Sequence, residues 1–102
     1  PDAGPEDWTR MADIARQAER NADAAAHYTR ALALLPAEPG PAHGQLWFLR
    51  GSANEVAGNW AEAEADLRRA VELEPDNALY LNYLGYSLLD RRQKLPEAHA
   101  LI

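Results

Sequence analysis

No cysteine occurs among the 102 residues. That excludes disulfides, thiol chemistry and cysteine-ligated zinc, and it leaves the redox compartment open. Basic side chains are in the minority, ten Lys and Arg against 16 Asp and Glu, for a net charge of −6. A nucleic-acid surface needs a basic face to displace counterions, so nucleic acid is not an expected partner. An anionic membrane surface is disfavoured for the same reason. No apolar run approaches the roughly 20 residues that cross a bilayer, and no signal-peptide pattern is present. Aromatic residues are scarce, at 8%. Glycines are few and scattered (Gly40, Gly44, Gly51, Gly58), so no phosphate-cradling loop forms from them.

Alanine dominates the hydrophobic 47% of the chain. It is the best helix former, because it loses no side-chain entropy on folding, and its small size lets helices approach closely. Helical periodicity predicts helices near 6–19, 22–35, 42–57, 60–73, 78–90 and 96–102. In the fourth, Ala63, Leu67, Ala70 and Val71 share one stripe. Asn59 and Glu62 have the spacing of a capping box. Asp76 and Asn77 suit the start of the fifth helix, and Pro96 the first turn of the sixth. The segment 61–66 alternates like a strand, but it lacks β-branched residues and lies between helix signals.

The chain repeats itself. With Pro36 placed beneath Pro75, Ala31 falls under Ala70, Tyr28 under Leu67, Ala24 under Ala63, Ala12 under Gly51 and Trp8 under Trp47. A third unit begins with Leu81, Leu84, Gly85 and Leu88, followed by Pro96-Glu97-Ala98. This pattern resembles the tetratricopeptide repeat, a helix–turn–helix unit of 34 residues. The resemblance covers nearly the whole chain. From Leu46 to Ile102, and most closely at Leu81-Asn82-Tyr83-Leu84-Gly85-Tyr86-Ser87-Leu88, it is similar to large multi-repeat proteins of alphaproteobacteria. That narrower resemblance implies a bacterial protein of the periplasm or cell envelope, the cytoplasm being the alternative.

The resemblance implies an all-α fold, an α–α superhelix of five full helices and a truncated sixth. It divides the chain into a first repeat at 5–38, a Pro/Gly linker at 39–43, a second repeat at 44–77 and a third at 78–102. The chain opens Pro1-Asp2-Ala3-Gly4 without methionine and stops at Leu101-Ile102 within a helical pattern, so it reads as a fragment of a longer protein. Small residues at Ala12, Gly51 and Gly85 would sit where paired helices cross, while Trp8, Trp47, Tyr28 and Leu67 would fill the wedge between neighbours. Proline ends each second helix, because it lacks a donor and restricts the residue before it. Two slots depart from the pattern: Arg50 stands where leucine is usual, and Asn54 where a large residue is usual. Pro36 and Pro75 stand 39 residues apart, longer than one unit. The surplus lies in the Pro- and Gly-rich stretch 36–44.

By analogy with the family, the first helix of each repeat lines a groove. The groove positions are Glu6, Thr9, Asp13 and Arg16; then Gln45, Phe48, Ser52 and Glu55; then Leu79, Asn82, Tyr86 and Leu89. Phe48, Tyr86 and Leu89 stand out, because apolar residues on a solvent-facing stripe can anchor a partner; packing against neighbours is the competing reading. Asp13 and Ser52 replace the basic or amide groups with which chaperone-binding relatives grip acidic peptide tails. The expected partner is therefore a protein or peptide with an apolar or basic segment.

No catalytic set emerges, and the chain reads as a scaffold rather than an enzyme. His27, His43 and His99 lack a second histidine at metal-ligand spacing, so neither metal nor cofactor is expected. Glu62 and Asp66 read as a solvated i,i+4 face near Arg68 and Arg69, not as opposed acids around a cleft. Ser52 and Ser87 have no nucleophile elbow. Arg91-Arg92-Gln93-Lys94 reads as a solvated loop, and Trp60 as packing between repeats. The competing function is a structural spacer, with homo-oligomers forming through open solenoid ends.

Overall fold

The structure, a computed structural model, describes residues 4–36, 40 and 43–90. The expected sixth helix, the Arg91–Lys94 loop, His99 and most of the Pro/Gly linker lie outside the described residues. Five helices and no strand are found among the described residues: α1 (Pro5–Gln17), α2 (Asn21–Ala33), α3 (Gly44–Ala57), α4 (Trp60–Leu73) and α5 (Ala78–Asp90). The all-α helical-repeat fold expected from the sequence is what forms.

Local chemistry sets the helix ends. Pro5 opens α1, where its missing N–H costs nothing. The Asp7 carboxylate reaches back to accept from the Gly4 N–H at 3.0 Å, the carboxylate half of a capping box. The box expected at Asn59 and Glu62 does not form: Asn59 caps α4 without a side-chain bond to its N–H groups, and its amide turns instead to Asn54 at 3.4 Å. Asn77 does cap α5, its Oδ1 accepting from the Tyr80 N–H at 3.2 Å. α2 stops at Ala33, two residues short of expectation. Leu34 and Leu35 tighten into i→i+3 bonds to Ala31 and Leu32, both 3.1 Å, because Pro36 disfavours helical backbone just before it. α3 begins at Gly44, with His43 closing a turn onto Gly40 at its start.

The helices join as antiparallel-style pairs, α1 with α2 and α3 with α4, through very short turns. One core cluster joins Ala12, Ala15, Ala24, Ala25, Tyr28 and Ala53, with Leu46 and Leu49 packed on it, so α3 closes over the first pair. A second joins Leu67, Leu84 and Leu88, with Phe48, Val71, Tyr83 and Leu89 against it, so α5 closes over the second pair. Each pair thus buries its apolar stripe on the next, as in a solenoid. Close approach at the crossing is real at Gly51: a Cβ there would meet Leu67 Cγ at 3.0 Å and Asp66 Cβ at 3.1 Å. Ala12 is fully buried, and Gly85 is buried as well.

Trp8 and Trp47 are only half-buried. Each carries an arginine from the following helix over its ring, Arg30 at 5.3 Å and Arg69 at 5.6 Å, the same offset in both pairs. His27 stacks on the Trp8 ring at 5.8 Å. Trp60, expected to pack between repeats, is instead 55% exposed at the start of α4.

Candidate functional site

The groove positions lie on the odd-numbered helices, and most of those side chains are engaged within the fold. On α1 the Thr9 hydroxyl donates to its own helix at Pro5 O, 2.8 Å. Asp13 and Arg16 meet the hydroxyl of Tyr28, a fully buried residue of α2. Tyr28 donates to Asp13 Oδ1. Arg16 Nε donates to the Tyr28 oxygen at 3.3 Å, and its guanidinium lies 3.7 Å from Asp13. Burial, then the neighbouring Asp13 carboxylate, push the Tyr28 pKa up to about 12, so it stays a donor at neutral pH.

On α3 the Ser52 hydroxyl turns back to Leu49 O at 3.0 Å. Phe48 stacks on Tyr80 at 4.8 Å between ring centres and meets Tyr83 edge-on at 5.2 Å. This aromatic group joins α3 to α5 and leaves Phe48 partly buried. Glu55 accepts from the hydroxyl of the buried Ser87 on α5. Burial first, and then Glu55, raise the Tyr83 pKa. The roles of Tyr80, Tyr83 and Ser87 in this face escaped the sequence reading. The only signal was the run of aromatic and small residues from Tyr80 to Ser87.

α5 holds the open part of the face. Leu79 is 61% and Tyr86 57% exposed, and Asn82 is exposed between them. At helical rise these three span about 10 Å along one side of the helix. Leu89 packs partly against the second core. Glu6 and Gln45, nearer the helix starts, are exposed. A hollow of about 350 Å³ between α1 and α3 is lined by Pro5, Glu6, Thr9, Arg10, Asp13 and Leu46.

The two departures from the repeat signature, Arg50 and Asn54, both bond the same carboxylate, Asp66. Arg50 grips Asp66 in two bonds, Nε to Oδ2 at 2.9 Å and a terminal nitrogen to Oδ1 at 2.6 Å. It also reaches Thr29 of α2 at 3.1 Å. The Asn54 amide donates to Asp66 at 3.2 Å. Asp66 therefore does not belong to the solvated face that its spacing to Glu62 suggested; it is 4% exposed and ion-paired. Its helix turn faces α3, and a buried carboxylate needs that pairing. Glu62 remains exposed, beside a cleft of about 320 Å³ between α2 and α4. Among the described residues, no three His, Asp or Glu side chains are grouped to hold a metal ion, and no helix is long and apolar enough to cross a membrane.

Comparison with known proteins places this arrangement. A TPR repeat-containing protein of Pseudomonas aeruginosa is 44% identical over 57 residues, which are 56% of this chain and 10% of that protein. The match thus spans about a tenth of that relative's length. Repeats of this kind generally mediate protein–protein interaction. The family model described as tetratricopeptide repeat matches residues 9–78 and again 55–102. The chain belongs to the tetratricopeptide repeat family.

Proposed function

We propose that the chain is a protein-binding scaffold that holds a segment of a partner protein along the face of α1, α3 and α5. The observation that carries this reading is the stripe Leu79, Asn82, Tyr86. Two large apolar side chains stand more than half exposed on a helix side where neighbouring positions are packed. Exposed aromatic and aliphatic groups on a rigid element are the usual anchors of an interface. The Asn82 and Gln45 amides, which make no side-chain hydrogen bond among the described residues, can bond the main chain of such a segment. In this reading the repeats run 5–38, 44–77 and 78–102, and the segment lies across their first helices as a helix or an extended strand.

Selection of random displayed peptides on the immobilised chain tests this. Selected peptides should bind in solution and lose about tenfold in affinity on Tyr86→Ala, the ordinary size of a hot-spot truncation. Equal loss on exposed α4 changes such as Ala61→Ser, or no loss on Tyr86→Ala, counts against the reading.

A second reading, a spacer that stacks with other helices or copies, rests on a different observation. Met11 and Ile14 on α1 are 43% and 61% exposed, beside a hollow of about 280 Å³ that also touches Ala18 and His27. Light scattering over a dilution series separates the two; a monomer at all concentrations weighs against self-association.

A further inference from the structure

Each hairpin of the array is covered by the helix that follows it, and the covering side chains occupy fixed places in the repeat. With Trp8 aligned to Trp47 and Gly51 to Gly85, Leu46, Leu49 and Ala53 of α3 correspond to Tyr80, Tyr83 and Ser87 of α5. Leu46, Leu49 and Ala53 pack with the core of the α1–α2 hairpin, and Arg50 beside them reaches Thr29 of α2. In α5, Tyr80, Leu84 and Ser87 are at most 4% exposed, and Tyr83 packs against the core of the α3–α4 hairpin.

α1 presents the same four places as Asp7, Arg10, Met11 and Ile14, and all four are exposed. They divide by chemistry. Asp7 accepts from the Gly4 N–H and lies 3.9 Å from Arg10, so the first half of the stripe is charged and bonded to itself. The second half is apolar: Met11 and Ile14 are 43% and 61% exposed, with Ala18 exposed beyond them. These three side chains border one hollow of about 280 Å³.

We infer that the second half of α1, from Met11 to Ala18, docks a helical hairpin of the same polypeptide that precedes α1, while the charged first half stands clear of it. The two equivalent faces in this chain, on α3 and α5, are each met by the hairpin immediately before them. Two large apolar side chains fall far short of the ~800 Å² per partner that a stable complex of separate chains buries. A connected hairpin needs less, because the link supplies a high effective concentration. A second copy would have to bring a hairpin with a free outer stripe, and those of α1–α2 and α3–α4 are already covered by α3 and α5. This site goes beyond the groove reading and uses other residues.

The test joins residues 44–77, the hairpin that α5 covers together with its own link, directly in front of Pro5 of the full chain. In this tethered protein Ile14→Lys should lower the urea midpoint by about 0.5 M, the loss of one partly buried aliphatic contact. The untethered chain should lose almost nothing, because Ile14 is exposed there; that comparison also shows that the variant folds. Arg10→Ala, on the half that stands clear, should affect both proteins equally. Equal losses on Ile14→Lys in the two proteins overturn the inference, as does a greater loss on Arg10→Ala in the tethered one. Dimers of the untethered chain that Ile14→Lys dissociates would make a second copy the occupant and overturn it too. The groove reading stands or falls separately, on peptide binding at Tyr86.

Discussion

Single side chains decide more here than the repeat pattern suggests. α1 and α3 end alike, with a wide turn bond of 2.8 Å from Arg20 N–H to Ala15 O and from Asn59 N–H to Asn54 O. Both turns need one left-handed residue. Gly58 supplies it at φ 89°, but Glu19 is forced to φ 61°. A side chain in that conformation costs about 1–2 kcal/mol, of which glycine's greater freedom in the unfolded chain returns part. Glu19→Gly should therefore stabilise the chain by about 0.5–1 kcal/mol and raise Tm by about 4 °C; an unchanged or lower Tm contradicts this. Tyr28 gives a second test. Its folded pKa of about 12 lies above the ordinary 10, so between those values the unfolded chain releases a proton that the folded chain keeps. Stability should fall as pH rises from 10 to 12 and should be independent of this group below that window. Urea titrations across pH 9–12 should show a shallower fall for Tyr28→Phe.

At the scale of helices, the polar network of Arg50, Asn54, Asp66 and Thr29 ties α3 to α4 and to α2 where the repeat signature would place apolar groups. Removing one partner strands a largely buried charge. Asp66→Ala should cost about 3 kcal/mol, and Arg50→Leu a similar amount. The double variant should cost less than the sum by about 1–3 kcal/mol in urea unfolding; additive losses would show that the pair is not coupled. The network also marks where sequence reading stopped. Helix existence was legible, because alanine-rich stripes at helical spacing and the paired prolines need no knowledge of neighbours. Arg50 and Asn54 stood out as misfits, yet Asp66 looked like half of an exposed i,i+4 pair. Periodicity tells which residues share a side of a helix, not which side meets another hairpin. The Asn59 cap failed for a related reason, since its amide found Asn54 across the turn instead of the helix start.

Across the whole molecule, two core clusters lock each hairpin to the next helix, and the odd-numbered helices share one face. The resemblance placed the candidate residues on that face, but not their state. Asp13 and Arg16 depend on Tyr28, which is 15 and 12 residues away along the chain, and Glu55 on Ser87 in a later helix. Phe48 depends on Tyr80 and Tyr83. Of the candidate positions, Glu6, Gln45, Leu79, Asn82 and Tyr86 are the exposed ones after those contacts are made. The most direct test is an amide chemical-shift map of the chain with a selected peptide bound. The account predicts that the perturbed amides fall on α1, α3 and α5 and peak between Leu79 and Tyr86. A map centred on α2 and α4, around the cleft beside Ala26 and Ala65, would contradict it.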